Sequence, residues 1–249
     1  MPDLSLLQIL LLMAAAFSTA ILHTVSGFAG GIVLSILIAP IIGIEMIVPV
    51  MTVVLLISSC SRLWAFRRVV NWNLYRQVMI TGLPSIALGA FVYGYLPARA
   101  ISGFMGALLI LTVLLRRLLE SRKLEPGRNG FMTMGVVFGL LSGSTIGGGI
   151  LLIPFYLGAG LVGERLVAMI AAVAFTMNVT RTAVFAGTSI LDWQVILVGA
   201  GIGLCTLPGT YSGYWVVRHT PVRIHTLFVE ALVMLGGIYF IYLSVSGND

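Results

Sequence analysis

Long uncharged stretches organise this chain. Charged residues divide it into blocks at 4–44, 46–61, 77–98, 100–115, 129–163, 166–180 and 193–217, and a final block at 226–248 is interrupted only by Glu230. Blocks near twenty residues match one helical crossing of a hydrocarbon core about 30 Å thick. The block at 129–163 is too long for one crossing and barely enough for two. It also contains Gly143, Gly147, Gly148, Gly149, Pro154, Gly158 and Gly160. So many helix breakers in lipid require the released backbone groups to be buried in protein or to face a wet cavity, because hydrocarbon offers them no hydrogen bonds. The pattern predicts a broken, re-entrant helical hairpin. The first apolar run follows Met1, Pro2 and Asp3, which supply no positive flank, and it continues past any cleavage point. It reads as a membrane segment and not as a cleaved signal.

Composition agrees and narrows the classes. Of 249 residues, 59% are apolar and 9% charged, and the mean hydropathy is +1.09. An average soluble chain carries about a quarter of its residues charged, so an ordinary cytosolic globule is excluded and lipid is the expected surroundings. The net charge of +6 comes from arginines scattered through the chain with a single lysine. Nothing resembles a nucleic-acid-binding patch. Cys60 and Cys205 stand alone and far apart, with no spacing suited to zinc or to a redox pair. No metal or cofactor is expected.

The sequence repeats. Ser26-Gly27-Phe28-Ala29-Gly30-Gly31-Ile32-Val33 resembles Ser144-Thr145-Ile146-Gly147-Gly148-Gly149-Ile150-Leu151, displaced by 118 positions. Glu45 and Glu164, Ser59 and Asn178, and Arg62 and Arg181 match at 119; Asn71-Trp72 and Asp192-Trp193 match at 121; Pro97-Ala98-Arg99 and Pro221-Val222-Arg223 match at 124. The displacement drifts only upward, as small loop insertions produce, and the matches keep one order. Loop charge then orients the halves. Arg67, Arg68 and Arg76 crowd the Trp72 loop, whereas the Trp193 loop carries Asp192 and no basic residue. The segment 116–128 is basic, and Arg218, His219 and Arg223 flank the Pro221 turn. All basic loops fall on one side if each half is a hairpin that enters and leaves on one face, followed by three full crossings. An odd number of crossings inverts the second half. The expected fold is therefore an all-α, polytopic transmembrane bundle of two inverted-topology repeats, residues 1–120 and 121–249, with six full spans and two broken hairpins. Both termini are expected outside. In such architectures the substrate sits near mid-membrane where the broken helices meet.

Those breaks suggest an anion site. A helix that begins inside the protein at Gly30 or Gly148 presents unpaired amides and a positive dipole end, which bind oxyanions without side-chain charge. Gly27, Gly30, Gly31, Gly147, Gly148 and Gly149 would let ligand oxygens reach the backbone, and Ser26, Ser144 and Thr145 add hydroxyls beside the bends. The competing reading is close helix packing. Packing motifs space their glycines by four, whereas these are consecutive, which favours the cradle. On the following helices Ser59 and Arg62, like Asn178 and Arg181, sit three residues apart on one face. An arginine deep in a membrane helix costs on the order of 3 kcal/mol on insertion scales and is a functional candidate by default. Arg62 lies near the basic end and could snorkel toward it. Arg181 points to the less basic side, so its depth makes it the stronger candidate of the two.

Other polar residues have plainer readings. Glu45 and Glu164 begin helices and favour the dipole there. Glu230 and His23 are candidates for proton coupling, against structural pairing for Glu230 and packing for His23. Trp72, Trp193, Tyr93 and Tyr95 read as interfacial belt residues. A hydrolase built on Ser144 with His23 or His225 lacks an acidic orienter and any recognisable nucleophile motif, so no enzyme is expected.

The glycine element Gly147-Gly148-Gly149 with Pro154 downstream, repeated as Gly30-Gly31 with Pro40 in a charge-poor two-halved chain, resembles the TauE/SafE family of membrane proteins. The resemblance covers essentially the whole chain. The copies differ: Ala29 stands where the second has Gly147, and Ile36 stands opposite Pro154. The resemblance implies a carrier in the inner membrane of a bacterium that exports sulfite or a small organosulfonate, its partners a small anion and membrane lipid. A homodimer is compatible with the sequence. With the cell interior negative, each exported negative charge gains about 2.3 kcal/mol per 100 mV, so export needs no coupled ion. The alternatives are an uptake carrier for another small inorganic anion and a non-transporting membrane scaffold subunit.

Overall fold

The computed structural model describes residues 6–26, 29–121, 126–146, 148–219 and 223–246, and the described residues are all-helical, without a strand. Ten α-helices follow in order: α1 (Leu6–Ser26), α2 (Ala29–Ile42), α3 (Ile44–Phe66), α4 (Trp72–Tyr93), α5 (Ala98–Ser121), α6 (Arg128–Ser144), α7 (Ile153–Gly158), α8 (Glu164–Gly187), α9 (Trp193–His219) and α10 (Arg223–Ser246). Gly27 and Gly147 lie outside the described residues, as do the side chains of Ser26 and Glu230.

Both expected interruptions are present. α1 stops at Ser26 and α2 starts at Ala29, folding back so that Gly31 lies beside His23. α6 stops at Ser144; after Thr145 and Ile146 a short 3₁₀ segment, Gly148–Leu152, leads into α7. The repeated residues explain where helices start. Asn71 Oδ1 accepts the amide of Leu74, and Asp192 Oδ1 accepts that of Val195, so each caps the helix that follows. Gly43 and Gly163, with φ of 81° and 57°, make the turns into α3 and α8 in a region that side chains rarely adopt. Glu45 and Glu164 then fall in the first turns, where the dipole favours them.

Small residues bring the helices together. A Cβ at Gly135, Gly139 or Gly143 of α6 would collide with the carbonyls of Val78, Gly82 or Ile86 on α4. Spaced by four, these glycines allow backbone contact in the manner of membrane helices. Gly143, read from sequence as a breaker, is thus a packing residue inside α6. Gly209 and Gly213 of α9 meet Phe17, Ile21 and Thr24 of α1 in the same way. The register of these contacts makes α4 run parallel to α6 and α1 parallel to α9. Gly199 and Gly203 of α9 face Val53 and Ile57, so α3 runs with α9, whereas Gly103 and Gly106 of α5 face Ser244 and Ile241 in the opposite sense along α10. α3 also packs on α8, and α4 on α8 as α9 does on α3.

The periphery is apolar. Leu10, Ile80, Leu88, Leu204, Leu235 and Ile238 are each more than half exposed, a surface suited to lipid. Among the described residues, 44–69, 164–187 and 193–216 are long and apolar enough to cross a membrane. α4, α5 and α10, of 22, 24 and 24 residues, have comparable length. Trp72, Trp193 and Tyr95 are exposed, as a belt requires. Tyr93 is not a belt residue: it is 4% exposed, and its hydroxyl donates to Glu45 O at 2.8 Å, tying the end of α4 to the start of α3.

Candidate functional site

The two interruptions meet at one cavity. It has a volume of about 50 Å³ and is lined by His23 and Gly31 from the first hairpin, by Ile146, Gly149 and Leu152 from the second, by Leu55 and Arg62 of α3, by Phe138 of α6, and by Ile170, Val173, Ala174, Met177 and Asn178 of α8. The α8 contribution is a single helical stripe. Its three- and four-residue spacing was available in the sequence, where only the polar member, Asn178, was singled out.

Arg62 is 1% exposed and borders this space, so its charge is held inside the protein and not at the basic rim. Asn178 faces it from the other half; its Nδ2 donates to Ala174 O at 2.8 Å, and its Oδ1 has no partner among the described residues. Among the described residues no acidic side chain lines the cavity. A buried guanidinium in a largely apolar wall can attract and hold an oxyanion.

The glycines divide between two roles. A Cβ on Gly30 would strike Thr19 O and His23, and one on Gly148 would strike Ser142, so both permit close backbone approach. Gly149 is different: nothing lies within 4 Å of where its Cβ would stand, and it lines the cavity. Gly31 also lines it, but its amide donates to His23 Nδ1 at 2.9 Å. One of the orphan amides that starts α2 is therefore capped by the histidine, which leaves Nε2 as the donor nitrogen of a neutral ring.

The hydroxyls are turned inward to their own helices. Ser59 donates to Leu55 O, Ser144 to Leu140 O at 3.1 Å, and Thr145 to Leu141 O at 2.7 Å. None of the three lines the cavity. Arg181, 0% exposed, does not line it either. Its Nε, Nη1 and Nη2 have no hydrogen-bond partner among the described residues, and its guanidinium carbon lies 5.8 Å from the centre of the Phe185 ring. The structure thus gathers His23, Gly31, Arg62, Gly149 and Asn178, and leaves Ser59, Ser144, Thr145 and Arg181 outside the cavity.

A larger basin, about 410 Å³, lies at the basic end of α3. Thr24, Ser61, Trp64, Phe66, Arg67, Arg68, Thr210, Tyr211 and Tyr214 line it. Arg67 is fixed at its edge by stacking 3.8 Å from the Trp64 ring and donating to Trp64 O at 3.0 Å.

Comparison with known families gives one result. The model described as Sulfite exporter TauE/SafE matches residues 12–240, nearly the whole chain. Neither the curated proteins nor the solved structures contain a match.

Proposed function

Because the chain belongs to the TauE/SafE sulfite exporter family, a family of membrane transporters and not of enzymes, we propose that it exports a small sulfur oxyanion across the inner membrane of a bacterium. It does so as a multi-pass carrier whose two inverted halves, 1–120 and 121–249, alternate access to one central site. The observation that carries this reading is Arg62, buried at a cavity where both interrupted helices meet. The guanidinium neutralises the anion, Asn178 orients it, and the open Gly149 backbone lets an oxygen approach. An apolar wall keeps the Coulomb attraction strong, since little water screens it. Support for the inversion comes from helix direction. Tyr93 bonds to the first turn of α3 and packs against Phe185 in the last turns of α8, so the two matching helices run oppositely. The matching pair α5 and α10 also runs oppositely, with Gly103 beside Ser244 and Gly106 beside Ile241.

The test is counterflow in proteoliposomes loaded with sulfite and challenged with sulfite, thiosulfate, sulfoacetate, chloride and a neutral sulfoxide. Sulfur oxyanions should exchange and the neutral compound should not. Exchange of none of the oxyanions, in vesicles where the protein is inserted and folded, would overturn the proposal.

A further inference from the structure

Arg62 and Arg181 do not repeat alone. One helical turn after Arg62 comes Phe66, whose ring pairs with Tyr214 at a centroid distance of 5.2 Å. One turn after Arg181 comes Phe185, whose ring pairs with Tyr93 at 5.4 Å. The displacements, 119 for the phenylalanines and 121 for the tyrosines, are those of the sequence repeat. The two units are the same construction: an arginine, a phenylalanine four residues on and so on the same helix face, and a tyrosine from the end of a neighbouring helix. Phe66, Phe185 and Tyr93 are buried at 4%, 0% and 4% exposure.

Their positions give the units a direction. Phe66 and Tyr214 both line the basin that carries Arg67 and Arg68, while Arg62, one turn deeper, lines the central cavity. The two spaces share no lining residue, although Thr24 adjoins His23 and Ser61 adjoins Arg62 in the chain. The other unit sits at the opposite end of α3, where Tyr93 is held by Glu45 O. We infer that Phe66–Tyr214 is the gate between a basic antechamber and the central site, and that Phe185–Tyr93 is the matching gate on the opposite face. The inference rests on the transport reading and extends it to named residues. Arg67 and Arg68 concentrate anions in the antechamber, and the ring pair then sets whether they reach Arg62. Tilted aromatic pairs suit this task, because they present an apolar barrier whose ring–ring attraction is small enough to be given up in a conformational step.

The experiment reads the path and not the substrate. Ala174 lines the central cavity. Ala174→Cys is placed in a Cys60→Ser, Cys205→Ser background and labelled with an impermeant, charged methanethiosulfonate from either face of oriented vesicles. Phe66→Ala should speed labelling from the Arg67–Arg68 face by roughly tenfold. Phe185→Ala should speed it from the other face only. Tyr214→Leu and Tyr93→Leu must reproduce the same sidedness, which guards against a phenylalanine variant that does not fold. Unchanged rates in the folded variants, or acceleration from the same face for both units, would overturn the gates. Sulfite titration on the unlabelled protein with Ala174 intact separates the two ideas: sided labelling without sulfite binding removes the sulfur-anion reading and keeps the gates, and binding without sided labelling does the reverse.

Discussion

Arg62 and Arg181 hold matching places in the two halves, each buried and each one turn from a Phe–Tyr pair, yet their surroundings differ. Arg62 borders a cavity with Asn178 opposite and an antechamber one turn away. Arg181 is packed in, with no hydrogen-bond partner for its three nitrogens among the described residues and with the Phe185 ring and the Tyr93 phenol nearby. A buried guanidinium without hydrogen bonds bears its desolvation penalty uncompensated. On the proposed alternating-access reading, another arrangement of the same helices would supply its partner. The repeat gives the chain two matching stations for arginine, and the cavity borders the one at Arg62.

The comparison breaks most sharply at the arginines. Arg62→Gln should weaken sulfite binding by roughly a hundredfold or more, since removing one partner of a buried charge pair costs about 2–5 kcal/mol. Arg181→Gln should leave binding within a few-fold and slow turnover instead. Arg181→Leu should also raise the thermal midpoint, because it removes the desolvation penalty of an uncompensated buried charge. Calorimetric titration and thermal unfolding in detergent measure both effects. Equal losses of binding at the two positions would erase the distinction between the stations.

Those expectations invert the ranking that sequence depth suggests, and the reason is physical. Charge spacing, the glycine runs and the repeat made the helices, both interruptions and the convergence of the halves legible, because lipid penalises charge and loose backbone wherever they occur. Position along a helix also identified the two arginines and Asn178. It could not show which arginine has space beside it, since a cavity is a property of packing between distant segments. Hydroxyl roles were hidden for a related reason. Ser59, Ser144 and Thr145 sit where donors were wanted, but a helical serine or threonine readily donates to the carbonyl four residues back. Tyr93 resembled a belt residue because it ends a membrane-length apolar block beside Tyr95, and only tertiary contact turns it inward. The ring pairs were the most recoverable omission, since Phe66 and Phe185 obey the same displacement as the arginines they follow.

The glycines of the second hairpin sharpen the comparison at intermediate scale. Gly148→Ala should destabilise the fold by about 1–3 kcal/mol, the usual range for overpacking, through collision with Ser142. Ser142→Gly should restore it, and the folded fraction should still bind sulfite. Gly149→Ala should leave the thermal midpoint unchanged, whereas Gly149→Leu, reaching into the cavity, should lower affinity without unfolding the protein. If Gly148→Ala removes binding while the midpoint stays fixed, the backbone at 148 contacts the anion and the division between packing and ligand glycines is wrong.

The smallest effect distinguishes how the two hairpins are fastened. In the first, His23 Nδ1 accepts the Gly31 amide; in the second, Gly148 is wedged against Ser142. His23→Ala should strand a buried donor and lower stability by about 1–2 kcal/mol, read as a shift in thermal midpoint. His23→Asn, whose carbonyl can accept in place of the ring nitrogen, should recover part of that loss. A proton-coupling role makes the opposite demand: transport would lose its pH dependence in both variants while the midpoint stayed where it was. The rescue by asparagine therefore decides between a residue that holds the bend in place and one that carries a proton, since asparagine can perform only the first task.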